Sequence, residues 1–161
     1  MRNKVKTLIF IIFLLTVFNG SAHAVVTEGG FAEGTVGVGF NYPGIGVRYF
    51  FLDSWAVEAR GQFEKDIWIA GVRLSRYFRP VTRILPYLGI EVNYVSFKSS
   101  LTTGTGYAFE VLAGGEYFVW QQQVSVQLDF GPAYLALADR NYDVDVSGIE
   151  FIVNFGINYY F

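Results

Sequence analysis

The chain has 161 residues, with 12 basic against 14 acidic side chains, no cysteine and a single histidine, His23. The absence of cysteine excludes both a disulfide framework and lipid attachment through an N-terminal cysteine. Mild acidity spread along the chain, with no basic cluster, argues against nucleic acid as a partner.

At the N-terminus, Arg2, Lys4 and Lys6 precede an apolar run from Leu8 to Phe18 broken only by Thr16, and Asn19-Gly20-Ser21 then leads to Ala22-His23-Ala24. A basic start, an apolar run within the usual ~7–15 residues and a small-x-small site at Ala22 and Ala24 predict a cleaved secretory signal over residues 1–24. A spanning helix needs about 20 apolar residues, more than this run supplies. Cleavage would leave one domain, residues 25–161, with nine basic and 14 acidic residues and a formal charge of −5. It would also remove the only histidine. A chain with neither His nor Cys cannot run a Ser-His or Cys-His hydrolase and lacks the usual zinc ligands, so no catalytic residue, metal or cofactor is expected.

Beyond that point, period-two alternation recurs and predicts eight strands. The first, about Ala32 to Tyr42, sets Val36, Val38, Phe40 and Tyr42 against Glu33, Thr35, Gly37, Gly39 and Asn41. The second, Gly46 to Leu52, opposes Val47, Tyr49 and Phe51 to Arg48 and turns at Asp53-Ser54. In the third, Val57, Ala59, Gly61 and Phe63 face away from Glu58, Arg60 and Gln62. The fourth, Ile67 to Phe78, opposes Trp68, Ala70, Val72 and Leu74 to Gly71, Arg73 and Ser75. After a turn holding Pro80 and Pro86, the fifth runs from Tyr87 to Tyr94 with Gly89, Glu91 and Asn93 on its polar side. Tyr107, Phe109, Val111, Ala113 and Tyr117 mark the sixth, against Glu110, Gly114 and Glu116. The seventh, Val124 to Phe130, carries Ser125, Gln127 and Asp129 on one side. The eighth is the terminal stretch, with Phe151, Val153, Phe155, Ile157, Tyr159 and Phe161 opposite Asn154, Gly156, Asn158 and Tyr160.

Alternation alone does not say which face points inward. A soluble lipocalin-like barrel would place the apolar face inside, whereas a membrane barrel would place it outside. Here the apolar face holds far more aromatic bulk than an eight-stranded interior can accommodate. Its aromatics also collect near strand ends: Phe40, Tyr42, Phe63, Trp68, Tyr94, Tyr107 and Phe130 toward one rim, and Tyr49, Phe51, Trp55, Phe78, Tyr117, Trp120, Tyr159 and Phe161 toward the other. The expected fold is therefore an all-β, eight-stranded antiparallel up-and-down transmembrane barrel. Its lumen would hold an ion-pair network of Arg48, Glu58, Arg60, Arg73, Glu91, Glu110 and Glu116, filling the interior more readily than forming an ion path.

On these eight alternating strands, and on the terminal strand with Tyr159 and Phe161, the chain resembles the small outer-membrane β-barrel domain family typified by OmpX and the OmpA barrel. The resemblance implies a monomer in the outer membrane of a diderm bacterium, with membrane lipid and the barrel assembly machinery as partners. It also implies that Phe155, Ile157, Tyr159 and Phe161 form a C-terminal assembly signal. With both termini in the periplasm, the exposed loops would be Pro43-Gly44, Glu64-Lys65-Asp66, Ser96 to Thr105 and Leu135 to Gly148. Asp139, Arg140, Asp143 and Asp145 in the last loop lack the spacing of a calcium loop. A non-catalytic structural or surface-interaction role leads. The alternatives are a lipid A-modifying barrel enzyme, whose kind leans on His, a narrow porin-like pore, and a soluble periplasmic binder.

Overall fold

A computed structural model describes residues 26–27, 30–42, 44–81, 83–98, 103–120, 123–139 and 144–161; the expected signal segment, with Ala22 and Ala24, lies outside them. Eight strands form a closed barrel: β1 Val36–Asn41, β2 Gly44–Leu52, β3 Trp55–Phe63, β4 Ile67–Tyr77, β5 Ile84–Lys98, β6 Thr103–Trp120, β7 Val124–Asp139 and β8 Val144–Tyr160. Each pairs antiparallel with its sequence neighbour, and β8 closes onto β1 over Gly156–Tyr160. Before β1, Val26–Thr27 pairs with Gly30–Phe31, and this short ribbon delivers Phe31 into the barrel mouth beside Tyr160. Gly34, at a φ of 86°, reverses the chain into β1; its N–H donates to the Phe50 carbonyl at 2.8 Å.

The alternation of the sequence becomes an alternation of environment. Along β2, Arg48 and Phe50 are buried while Val47 and Tyr49 are exposed. Along β5, Tyr87, Gly89, Glu91 and Asn93 are buried against exposed Leu88, Ile90 and Val92. Charge points in and hydrocarbon points out, the reverse of a soluble barrel.

The register gives the barrel its dimensions. Following paired residues once around from Val38, through Val47, Ala59, Val72, Val92, Phe109 and Tyr134 to Ile149, returns to β1 ten residues from Tyr159, the partner of Val38. A ten-residue stagger over eight strands, with a ~3.3 Å rise and ~4.8 Å strand spacing, tilts the strands by about 41°. Each residue then climbs ~2.5 Å along the axis, and each step to the next strand on that line climbs ~3 Å.

On this scale Phe63, Trp68, Tyr94, Tyr107, Tyr134 and Phe151 all lie about 16–21 Å above Val38, while Trp55, Phe78, Tyr117, Tyr159 and Phe161 lie about 3–8 Å below it. Trp68 and Tyr94 stack edge-on at 6.0 Å, and Tyr94 and Tyr107 at 5.6 Å, tying the upper ring together. Three aromatics depart from the rims expected for them. Phe130 lies mid-belt, where its place at the rim is taken by Tyr134, and Phe40 and Tyr42 fall short of the upper ring because the β1–β2 hairpin is low.

The strand ends also differ from the sequence reading. Ser96–Lys98 and Thr103–Thr105 are paired parts of β5 and β6, and Leu135–Asp139 and Val144–Gly148 are paired parts of β7 and β8. The chain is therefore strand up to Lys98 and again from Thr103, and up to Asp139 and again from Val144; residues 99–102 and 140–143, with Arg140 and Asp143, lie outside the described residues, as does Pro43. Gly44 opens β2, opposite Gln62. Pro86 is in strand, opposite Gly115, near the start of β5 where the missing N–H costs no interior ladder bond, and its carbonyl accepts from Phe78 N–H at 2.9 Å.

Candidate functional site: the barrel lumen

The lumen is layered along the axis. At the end nearest Tyr160, Phe31, Phe50, Tyr77, Leu85, Tyr87 and Tyr160 form a fully buried apolar cluster with Phe118 against it. Phe31 is its centre, with ring centroids 3.9 Å from Phe50, 4.5 Å from Tyr160, 5.5 Å from Tyr77 and 5.6 Å from Phe118. The Tyr160 ring passes across Gly37, where an added Cβ would come within about 2.6 Å of it, so the small residue on β1 makes the space that the ring fills.

Above this cork lies a charge network in two linked halves. Arg48, on β2, reaches across the lumen. Its Nε and Nη2 donate to Glu58 Oε2 at 3.0 and 2.6 Å, Nη1 donates to Tyr77 Oη at 2.6 Å and Tyr160 Oη at 2.8 Å, and Nη2 donates to Gln127 at 2.8 Å. Nη1 also pairs with Glu116. Glu116 accepts further from Tyr77, from Tyr160 and from Ser125 Oγ at 2.7 Å, so its oxygens are satisfied from four strands.

In the other half, Arg73 joins Glu91 at 2.6 Å and Asp129 at 2.8 Å, and Arg60 shares the same Glu91 oxygen at 2.6 Å. Asp129 also accepts from Tyr87 and Gln127, and from Asn154 at 2.8 Å. Arg60 Nε, 3.8 Å from Glu58, links the halves. Among the described residues, Arg73 Nη2 has no hydrogen-bond partner.

Six of the seven residues expected in the lumen thus come together: Arg48, Glu58, Arg60, Arg73, Glu91 and Glu116. Glu110 stands apart; it accepts from Asn93 at 2.8 Å and enters no ion pair among the described residues. Asp129 belongs to the centre although only its place on the polar face marked it, and Tyr77, Tyr87 and Tyr160 were legible by parity alone. Three arginines face five carboxylates, so the lumen carries a formal excess of two negative charges.

Higher still, the inner wall turns apolar, with Ile69, Val95, Ala108, Ala133, Leu135 and Ile152. On the outside, Phe155, Ile157 and Tyr159 are exposed, and Phe161 lies just past β8 with its ring 4.9 Å from Tyr159. Chemically, the network is suited to hold the wall together. Ser125 is fully buried and donates to a carboxylate already bonded to Arg48, so no substrate can reach it.

No protein-family model matches the chain, and no curated protein matches it in sequence. Among solved structures, it is similar to the crystal structure of the N-terminal β-barrel domain of Pseudomonas aeruginosa OprF, with a TM-score of 0.52 and 13% identity, covering 79% of this chain and 94% of that one. At that identity the likeness is one of architecture: the chain is a closed eight-stranded antiparallel barrel similar in fold to that domain.

Proposed function

We propose that the chain is an integral, monomeric barrel of the outer membrane of a diderm bacterium, serving a non-catalytic structural or surface role. The observation that carries this reading is the belt. Its two aromatic rings stand ~24 Å apart, against the ~25 Å expected of a lipid-facing band flanked by interfacial girdles. Between them, Val47, Val72, Leu88, Ile90, Val92, Val111 and Leu128 are all about half exposed, a surface that water would not tolerate in a monomer. A barrel closed around its whole circuit pairs its strands with one another, as a lipid-embedded sheet requires.

The filled lumen favours a structural role over a pore. It also disfavours a soluble binder, which needs an apolar cavity where this barrel holds charge. By resemblance, Phe155, Ile157, Tyr159 and Phe161 serve the assembly machinery. Membrane fractionation, followed by electrophoresis with and without boiling, tests the reading. The expected result is an outer-membrane band whose migration changes on heating. A protein monodisperse in detergent-free buffer would refute it.

A further inference from the structure

The barrel wall is uneven. The β1–β2 hairpin reaches only about 10 Å above Val38, roughly 8 Å short of the upper aromatic ring, whereas β8 climbs to about 35 Å. The last β8 residue paired with β1 is Gly156, and the Tyr42 N–H adds a bond to the Phe155 carbonyl at 3.1 Å. Above that point, Val144–Asn154 pairs with β7 alone among the described residues. Parity says which backbone groups are left over. Phe155 and Phe161 bond toward β1, whereas the Tyr160 N–H donates the other way, to the Gln123 carbonyl just before β7. The odd-numbered Val153, Phe151 and Ile149 therefore aim their N–H and C=O groups at the open side, where no described residue pairs with them. Their side chains are 64%, 68% and 78% exposed, against 51% and 48% for Phe155 and Ile157 below them.

Two polar features thus lie beneath the upper ring on this side: the turn of the hairpin, and the β8 edge at Val153 and Phe151, about 12 and 17 Å above Val38. Hydrocarbon tolerates neither, because backbone groups within it must be paired. Tyr42, 74% exposed at the hairpin tip, is the residue type that sits at a membrane–water boundary. Tilting the barrel does not lift this side clear. The lower ring is level, with Trp55, Phe78, Tyr117, Tyr159 and Phe161 all about 3–8 Å below Val38, so a tilt that raised β1 and β2 would drag Tyr159 and Phe161 into the bilayer.

We infer that the bilayer face nearer the upper ring dips by about 8 Å along the β8–β1 seam, and that lipid head groups lie there against the free edge of β8. The inference rests on the membrane reading proposed above. Phosphate oxygens of a head group accept from the N–H groups of Val153 and Phe151, and the water a head group carries donates to their carbonyls. The occupant is a head group and not an acyl chain because the edge is polar backbone, which an alkyl chain cannot satisfy. It is not the same edge of a second copy, since antiparallel pairing of two β8 edges would turn the second barrel upside down in the membrane. On this side the apolar belt spans roughly 16 Å, against ~24 Å elsewhere, so the seam draws the two faces of the bilayer together.

The test uses the methyl-labelled chain in phosphatidylcholine nanodiscs. Val153 and Val92 form a matched pair, both on the outer face and both about 12 Å above Val38, one at the seam and the other on β5. Nuclear Overhauser contacts are expected from Val153 methyls to the choline and glycerol protons, and from Val92 methyls to chain methylenes. Val47, about 3 Å above Val38 on β2 and so below the dip, should contact chain methylenes as well. Spin labels on Phe151→Cys and Phe109→Cys, each the sole cysteine of its chain, give a second reading. With both variants folded by the heat-sensitive gel shift, the label at the seam should be several-fold more accessible to a water-soluble nickel chelate. Chain-methylene contacts at Val153 like those at Val92, or equal shielding of the two labels, would mean a flat bilayer; the inference then fails and the membrane reading stands. Contact of Val153 with water alone overturns it too, because no head group then lies on the edge. If Val92 and Val47 also lack chain contacts, the membrane reading itself falls.

Discussion

Replacing Arg48 by Met tests whether the lumen network holds the barrel. Among the described residues, Arg48 is the only cation paired with Glu116, whereas Glu58 keeps Arg60 at 3.8 Å. The variant therefore leaves one carboxylate buried without a cation, a change that costs about 3–5 kcal/mol where it has been measured in protein interiors. With a urea dependence near 2 kcal/mol per molar, typical of small domains, the unfolding midpoint should fall by roughly 2 M. Urea titration of the barrel in phospholipid vesicles, read by loss of the heat-sensitive gel shift, measures it. Adding Glu116→Gln should recover part of the loss, because it neutralises the stranded charge, with a coupling of about 1–3 kcal/mol. A midpoint unchanged by Arg48→Met, or strict additivity of the two substitutions, would refute the network as a source of stability.

Phe31→Ala removes the centre of the aromatic cork. Single-channel recording in planar bilayers should find the parent closed or nearly so, and any current gained by the variant should be cation-selective because of the lumen's two excess carboxylates; anion selectivity would contradict that balance. Val72→Arg puts a charge near the middle of the belt and should cost about 2–4 kcal/mol in a lipid-reconstituted unfolding assay, whereas in a soluble barrel it would be close to neutral. Gly131→Ala should be markedly destabilising, since the new Cβ would meet backbone, including Leu112 Cα at 3.2 Å, and should lower the urea midpoint by the equivalent of about 1–3 kcal/mol. Gly61→Ala, whose Cβ meets only the Phe63 ring at 3.2 Å, is the mild control. Replacing Phe161 by Ala should lower the amount inserted in cells more than the stability of barrels already folded, and equal cellular levels would count against an assembly role.

What was legible in the sequence was whatever a two-sided environment imposes. Where a strand has an apolar exterior on one face and the charged lumen on the other, its residues must alternate, and Arg48, Glu58, Arg73 and Glu91 fell on one side by that rule. Where the environment is not two-sided, the signal vanishes. The upper parts of β5–β8 rise beyond the belt, so Thr103–Gly106, Leu135–Asp139 and Val144–Gly148 carry no clean alternation and read as loop although they are paired strand. The stagger was hidden as well, because it resides in pairing between strands and not in any one strand. That is why Phe130 was assigned to a rim and Tyr134 was overlooked. Phe31 precedes the first strand, and nothing local marks it as the residue that closes the mouth.

The joint between first and last strands has a mechanical consequence. β8 is matched to β7 through sixteen residue pairs, from Val144 to Tyr159, but to β1 through only five. Strain shared around a hoop concentrates at its shortest weld, so under force or heat the cylinder should part first along that line and peel into a ribbon whose other joints are still intact. The bond that Arg48 on β2 donates to Tyr160 on β8 acts there as a rivet, since it spans β1 from within and fastens β8 where its edge is least stitched.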